Sequence, residues 1–260
     1  MQDNPNVWID CHLSGKSRIR GYSYLNASSL ADTPGEHLDN PPRDPHGPLP
    51  PKPFSRGYRL AEAVKTVVGI TGASGSVYGI KLLRALPGQK TVIVSEDGGK
   101  IAREEMGLGP EQIAALAHQS FDNDDLEAPI ASGSARFDAM VIAPCSASTM
   151  SKIACGIADN LITRAASVAL KERRRLVLVV RETPLSLIHI QNMERLALAG
   201  ATVMPACPAF YPRPESIDDM VDFVVGRVLD QLGVENSMYS RWEGPPKGSR
   251  GSRRTRSRPS

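Results

Sequence analysis

The sequence predicts an α/β protein built on a doubly wound, mostly parallel sheet sandwich. Two observations support this prediction. Short β-branched runs alternate with amphipathic helical patterns, and each run is apolar throughout, as expected for strands that helices cover on both faces. The first run also enters a glycine-rich turn that opens into a helical pattern, which is typical of the repeating units of such folds.

The predicted elements lie between residues 65 and 233. The predicted strands are residues 66–70, 91–94, 139–143, 176–180 and 201–204. The predicted helices are residues 80–86, 111–118, 161–172, 192–199 and 217–232. This order predicts one Rossmann-like or flavodoxin-like domain, in which ligands bind beyond the carboxyl ends of the strands.

The two ends of the chain differ in composition from the part between them. Seven of the thirteen residues at 41–53 are prolines, so residues 1–64 are expected to form a poorly ordered extension ahead of a folded domain at 65–234. Residues 235–260 are predicted to be a C-terminal segment and a basic tail, with six Lys or Arg and no acidic residue after 246. These six charges turn a net charge of −3 into the +3 of the whole chain. The basic balance therefore gives no reason to expect nucleic-acid binding by the domain.

Cysteine spacing and hydropathy exclude several other classes of protein. Cys11, Cys145, Cys155 and Cys207 show no C-x-x-C spacing, which argues against a zinc site or a disulfide framework and favours a reducing, cytoplasmic location. No apolar run approaches the roughly 20 residues that a membrane span needs. The N-terminus also lacks the charged start and apolar core of a signal peptide.

The glycine-rich turn after the first strand is the first candidate for a binding site. Gly69, Gly72 and Gly75 recur every third residue, which is not the G-x-G-x-x-G spacing of dinucleotide-binding turns. Gly72 and Gly75 permit a positive φ and a close backbone approach. Free N–H groups at the start of the next helix suit an anionic ligand, so the turn is expected to hold a nucleotide-like cofactor.

Small hydroxyl residues also follow the other strands. Ser95 follows the second strand, residues 144–149 (PCSAST) follow the third, and Arg181 and Glu182 follow the fourth. Because the carboxyl ends of parallel strands meet at one edge, four such loops predict a site for a phosphate and a polar ring, with one guanidinium to complement an anion.

With these motifs in place, the chain closely resembles the flavin prenyltransferases, the UbiX/Pad family, over about residues 66–242. The landmarks are GITGASG at 69–75, ASGS at 131–134, APCS at 143–146, ADNLITR at 158–164, LKER at 170–173, VRETPL at 180–185 and FYPRPES at 210–216. The resemblance implies that reduced FMN is bound as a substrate and joined to a dimethylallyl group from dimethylallyl phosphate. The product, prenylated FMN, would serve a partner decarboxylase.

The resemblance also implies which residues hold each substrate. The positions matching those that hold FMN are Gly72, Ala73, Ser74, Ser95, Ser146, Ala147, Ser148, Thr149 and Arg181. The positions matching the prenyl-donor site are Ser132, Gly133, Arg164, Lys171, Tyr211, Arg227 and Trp242. Cations and hydroxyl groups suit a phosphate leaving group, and no Asp-rich motif for magnesium is present, so no metal is expected.

Three residues match positions close to the reacting atoms. The resemblance implies Glu182 as the proton acceptor, Glu105 as electrostatic support on the helix after the second strand, and Ser74 at the N5 edge of the flavin. Glu105, the adjacent Glu104 and the departing phosphate remain alternative bases. Cys145 has no paired histidine and is expected to be a small buried residue rather than a nucleophile.

Family members assemble as dodecamers, which implies a homo-oligomer in which Trp242 helps to cover a neighbouring subunit's site. Two rival functions remain: a direct FMN-dependent decarboxylase of the same fold, and a non-catalytic FMN carrier. The downstream pathway, and the choice between a monophosphate and a diphosphate donor, are left open by the sequence.

Overall fold

The structure is a computed structural model, and it describes residues 64–244. The predictions for the proline-rich extension before residue 64 and for the basic tail after residue 244 lie outside the described residues. The division of the chain at residues 64 and 234 therefore stays a prediction.

Six parallel strands form one sheet in the order β3-β2-β1-β4-β5-β6. The strands are β1 (Lys65–Ile70), β2 (Gln89–Val94), β3 (Gln119–Asp122), β4 (Ala139–Cys145), β5 (Arg175–Val180) and β6 (Thr202–Pro205). The order reverses direction between β1 and β4, which pair in parallel from Thr66 with Ala139 onward. This is the doubly wound topology that the sequence predicted, with its switch point between the two central strands.

Helices cover both faces of the sheet. They are α1 (Ser76–Ala85), α2 (Glu96–Met106), α3 (Pro110–Ala114), α4 (Ala147–Ala154), α5 (Leu161–Lys171), α6 (Leu187–Leu198) and α7 (Ile217–Leu232). One buried core lies between the sheet and α4, α5 and α6, and a second lies between the sheet and α1, α2, α3 and α7. Successive strand residues contribute to opposite cores, as Val67 and Val68 do, so the strands are apolar throughout.

The main error of the sequence prediction concerns residues 111–118. The helix there, α3, ends at Ala114, and a strand that was not predicted, β3, follows. Because β3 lies at the sheet edge and is mostly exposed, its sequence QSFD lacks the apolar run that marks the other strands. The helix α4 was also missed, and α2 was expected only as the helix that carries Glu105. The helices α1 and α6 begin four and five residues earlier than predicted.

None of the helices within residues 64–244 is long and apolar enough to cross a membrane.

Candidate active site

A buried threonine joins the loops that follow the two central strands. The Oγ1 atom of Thr71 donates a hydrogen bond to the carbonyl of Pro144 at 2.9 Å and accepts one from the amide of Ser146 at 2.8 Å. Thr71 is 2% exposed. The loops after β1 and β4 are therefore held together at the switch point, by a residue that was absent from the sequence-predicted site.

Arg181 brings the end of β5 to the same place. Its amide donates to the carbonyl of Cys145 at 3.1 Å, and its Nε donates to the carbonyl of Ser74 at 3.1 Å. The guanidinium thus reaches across the β4 loop to the glycine-rich turn. Three of the four predicted loops are fixed to one another by these contacts.

The start of α1 is not free to bind a ligand anion, which corrects the first expectation drawn from the glycine-rich turn. The carboxylate of Glu105 accepts hydrogen bonds from the amides of Gly75, at 3.0 Å, and Ser76, at 2.9 Å. It also accepts one from the hydroxyl of Ser76 at 2.7 Å. The side chain of α2 therefore fills the anion-binding end of α1.

This environment keeps Glu105 ionised. Burial alone would raise its pKa, but hydrogen bonds from the hydroxyls of Ser74 and Ser76 and from the amides of Gly75 and Ser76 outweigh it and hold the pKa below its usual value. Glu105 lies on the helix after the second strand, as predicted. Its lone pairs are largely occupied, so it is poorly placed to accept a further proton.

The start of α4 offers the amides that α1 does not. The hydroxyl of Ser146 caps α4 by accepting from the amide of Thr149 at 3.2 Å. The amides of Ala147 and Ser148 fall in the first turn, where helical geometry provides no intrahelical acceptor. Together with the positive end of the helix dipole, these amides are suited to binding an anion.

Ser95 follows β2 at the same edge. Its amide donates to the carbonyl of Ile70 at 2.9 Å, and its hydroxyl caps α2 by accepting from the amide of Gly98 at 3.1 Å. Capping of α2 therefore accounts for a serine at this position. Ser95 lies, as predicted, at the rim, which is the edge formed by the carboxyl ends of the strands.

The two glycines of the turn serve different purposes. Gly75 has a φ of 102°, in the left-handed region that the sequence predicted for it. Gly72, by contrast, does not have a positive φ. A Cβ at Gly72 would lie 2.7 Å from the Cβ of Asp97, so glycine is required there by the close approach of α2.

Glu182 and Cys145 differ sharply in exposure. Glu182 is exposed at the end of β5, and its Oε1 accepts a hydrogen bond from the amide of Thr183 at 3.0 Å. Cys145 is fully buried, and burial raises the pKa of its thiol to about 12. The expectation that Cys145 is a small buried residue is confirmed, because such a thiol is not a thiolate at neutral pH.

The residues matched to the prenyl-donor site fall into two groups. The first combines the loop after residue 131 with α5. Arg164 donates from Nε to the carbonyl of Ala131 at 3.1 Å, and the hydroxyls of Ser132 and Ser134 are 2.8 Å apart. Lys171 forms an ion pair with Glu172 at 2.6 Å. A Cβ on Gly133 would lie 2.5 Å from Oε1 of Glu172, so a larger residue there would require the exposed Lys171 and Glu172 side chains to shift.

The second group combines the segment after β6 with α7 and the residues that follow it. The rings of Tyr211 and Trp242 meet edge to face at 5.7 Å and line an open cavity of about 510 Å³. Arg227 on α7 forms an ion pair with Asp230 at 3.0 Å. Within residues 64–244, no hydrogen bond, ion pair or ring contact joins this group to the first.

Within residues 64–244, no group of three or more His, Cys, Asp or Glu residues is arranged to hold a metal ion.

A protein-family model described as Flavoprotein matches residues 55–229. Two solved structures of this class are similar to the chain. AnUbiX (PadA1) in complex with FMN and dimethylallyl pyrophosphate has a TM-score of 0.68 at 43% identity, and covers 70% of this chain and 98% of its own. A dodecameric FMN-dependent UbiX-like decarboxylase from Escherichia coli also has a TM-score of 0.68, at 44% identity, and covers 70% and 100%. The chain therefore belongs to the flavoproteins and has their fold.

Two similar proteins identify the family within this class. A flavin prenyltransferase UbiX from Thermoplasma acidophilum is 52% identical over 180 residues, spanning 69% of this chain and 100% of that protein. The corresponding protein from Methanocaldococcus jannaschii is 48% identical over 181 residues, spanning 69% and 98%. The chain belongs to the UbiX family of flavin prenyltransferases, which confirms the resemblance seen in the sequence motifs.

Proposed function

We propose that this protein is a flavin prenyltransferase that joins the dimethylallyl group of dimethylallyl phosphate to reduced FMN. The observation that carries the proposal is the rim itself. Arg181 and Thr71 gather three loops beside the open start of α4, in a chain 43% identical to one solved with FMN and dimethylallyl pyrophosphate. The product, prenylated FMN, would be consumed by a partner decarboxylase.

The donor set of the rim fits FMN. The amides of Ala147 and Ser148 and the hydroxyls of Ser146 and Thr149 suit a phosphate monoester, whose charge the start of α4 stabilises. The turn at residues 72–74, Ser95 and the Arg181 guanidinium would contact the ring system, with Ser74, which is exposed, near its N5 edge. Bound reduced FMN would supply the nucleophilic ring that accepts the prenyl group.

The prenyl donor needs groups that bind a phosphate more tightly as charge accumulates on it. Arg164, Lys171 and Arg227 carry the required charge, and all three are exposed. Tyr211, Ser132 and the backbone at Gly133 add neutral donors. Such groups stabilise a phosphate leaving group without a metal ion.

The proton lost from the flavin is assigned to Glu182. This carboxylate is exposed at the rim and one of its oxygens accepts from the amide of Thr183, which leaves the other oxygen available. Glu105, by contrast, is held ionised by donors from the turn and α1, and acts as a fixed negative charge. The departing phosphate is the alternative acceptor.

Assembly would complete the site. The start of α6 exposes a row of large apolar side chains, Leu185, Leu187, Ile188 and Ile190, of which Leu187 is 68% exposed. Such a row is typical of a protein interface. The similar Escherichia coli structure is dodecameric, and we propose a homododecamer in which Trp242, 66% exposed, covers the site of a neighbouring subunit.

Three free cysteines within the described chain favour a reducing, cytoplasmic location.

The proposed function is tested by the mass of the flavin product. Purified protein is incubated anaerobically with reduced FMN and dimethylallyl phosphate, with and without EDTA, and the flavin is analysed by mass spectrometry. We expect a flavin heavier by one dimethylallyl group in both samples. Unchanged FMN would contradict the proposal and favour the alternative function, a non-catalytic FMN carrier.

Similar structures from Escherichia coli and Aquifex aeolicus are named decarboxylases, so the same preparation is also tested for direct decarboxylation. The protein is incubated with FMN and phenylacrylic acid in the absence of a prenyl donor. We expect no release of CO₂. Turnover of the acid without a prenyl donor would favour the direct decarboxylase.

A further inference from the structure

The chain after α7 folds back onto that helix. This segment, residues 233–244, is called the C-terminal strap below. Asn236 donates from Nδ2 to the carbonyl of Gly226 at 3.2 Å, and the ring of Tyr239 meets that of Phe223 at 4.9 Å. A Cβ on Gly226 would lie 2.6 Å from the Tyr239 ring, so the strap lies directly against the helix.

One carboxylate on α7 holds most of the polar contacts of the strap. Asp230 accepts from the hydroxyl of Tyr239 at 2.5 Å and from Nδ2 of Asn236 at 3.0 Å. Its two oxygens accept from the guanidinium of Arg241 at 2.7 and 3.2 Å. The Asp230 side chain is only 14% exposed, so these bonds are largely shielded from water.

The same carboxylate also holds Arg227, one turn earlier on α7. Nη1 of Arg227 lies 3.0 Å from Asp230 and donates to the hydroxyl of Tyr239 at 3.2 Å. Two guanidinium groups, of Arg227 and Arg241, therefore share one negative charge. Without that charge the two guanidinium groups would repel each other.

The strap leads directly to the proposed donor site. Trp242 follows Arg241 in the sequence and packs against Tyr211. Arg241, Trp242 and Tyr211 line the same cavity of about 510 Å³. Arg241, which Asp230 holds, is thus next to Trp242 in the sequence and lines the same cavity.

We infer that Asp230 is a positioning residue for the prenyl-donor site: it orients Arg227 and, through Tyr239 and Arg241, holds the strap that carries Trp242 beside Tyr211. The inference rests on the proposed function for the roles of Arg227, Tyr211 and Trp242. Asp230 itself is assigned no contact with substrate.

The test compares Asp230→Asn with a matched control. Asparagine keeps the shape of the side chain but removes the charge that two guanidinium groups share. Glu235→Gln removes the same charge from an exposed residue of the strap. Both variants are made in a Trp8→Phe background, because Trp8 is the other of the two tryptophans, and Trp242 fluorescence then reports the strap.

We expect Asp230→Asn to raise the KM for dimethylallyl phosphate about tenfold or more, as the loss of one buried charge-assisted bond implies. FMN affinity should stay within about twofold of the background protein, because the start of α4 and Arg181 are untouched. Acrylamide should quench Trp242 more strongly. Glu235→Gln should match the background protein in all three measurements. An unchanged donor KM or unchanged quenching in Asp230→Asn would overturn the inference.

A second variant decides the matter if Asp230→Asn does not fold. Tyr239→Phe keeps the ring against Phe223 and removes only the hydroxyl that bonds to both Asp230 and Arg227. It should raise the donor KM and the quenching of Trp242 in the same direction, and normal values would overturn the inference. The fluorescence comparison needs no substrate. A failure of the proposed function, seen as no prenylated product from the unmodified protein, is therefore distinguishable from a failure of the strap.

Discussion

The residues matched to FMN and those matched to the prenyl donor are held in different ways. On the flavin side, the links join distant parts of the chain through buried or backbone atoms: Thr71 joins the loop after β1 to Pro144 and Ser146, and Arg181 joins β5 to Ser74. On the donor side, two of the three cations form ion pairs with close sequence neighbours. Lys171 pairs with the adjacent Glu172, and Arg227 with Asp230 three residues on.

This difference has an energetic meaning. Exposed ion pairs contribute about 0–1 kcal/mol, whereas leaving a buried polar group without its partner costs about 1–3 kcal/mol. The flavin side is thus set in place when one chain folds. The donor side consists of exposed cations that are held unequally: Lys171 has a surface ion pair, whereas Arg227 depends on the largely shielded carboxylate of Asp230. As proposed, neighbouring subunits complete this side. Variants of the flavin side should impair FMN binding, and variants of the donor side should impair donor binding alone.

The largest effect is expected from Gly72→Val. The Cβ of the introduced valine would lie 2.7 Å from the Cβ of Asp97, so the turn or α2 must move. FMN binding should therefore be lost. Isothermal titration calorimetry measures the affinity for FMN. Gly99→Ala is the matched control in α2, because its Cβ would lie 3.6 Å from the nearest atom, an ordinary contact. Wild-type affinity in Gly72→Val would remove the turn from the flavin site.

Glu182→Gln tests whether a residue of the rim acts in chemistry rather than in binding. The amide keeps the size of the side chain but cannot take up the proton, so product formation should slow by about 100-fold or more. FMN affinity should be unchanged. Single-turnover assays with analysis of flavin mass measure the rate. Normal turnover would transfer the role of base to Glu105, Glu104 or the departing phosphate.

Thr71→Val should weaken the link between the loops of the central strands. The variant loses two buried hydrogen bonds, so the free energy of unfolding should fall by about 2 kcal/mol, with weaker FMN binding. Thr71→Ser keeps the hydroxyl and should restore both. Urea denaturation and titration with FMN give the two numbers. If valine and serine behaved alike, the hydroxyl would not hold the loops.

The smallest effect is expected from Glu105→Gln, and it should depend on pH. The folded-state pKa of Glu105 is lowered, so its contribution to stability is present above its unfolded value of about 4.5. That contribution is lost as the pH falls through the lower folded pKa. At pH 7 the variant should be less stable by about 1 kcal/mol, and the difference should shrink in acid. Thermal melts across pH measure it, and a difference independent of pH would contradict the charge-based explanation.

The sequence predicted most where burial leaves a clear pattern. Strands such as β1 and β5 are apolar throughout because both faces are covered, and α7 has the bounds that its amphipathic pattern predicted. The edge strand β3 has no such pattern. Thr71 and Asp230 were missed because their importance lies in partners brought close by folding, which local residue spacing does not reveal. Glu105 was named from the family resemblance, but its bonds to the amides of Gly75 and Ser76, where a ligand was expected, were not foreseen for the same reason.

The measurement that tests this division of the site most directly is complementation between two inactive variants. Arg181→Ala removes the flavin-side guanidinium, and Arg227→Ala removes a donor-side cation. The two variants are mixed, dissociated and reassembled, and the flavin product is measured by mass. If one chain supplies the flavin side and a neighbour the donor side, about a quarter of the sites should be intact after random mixing, and activity should return. No recovery in assemblies shown to contain both variants would contradict the shared site and place both halves in one chain.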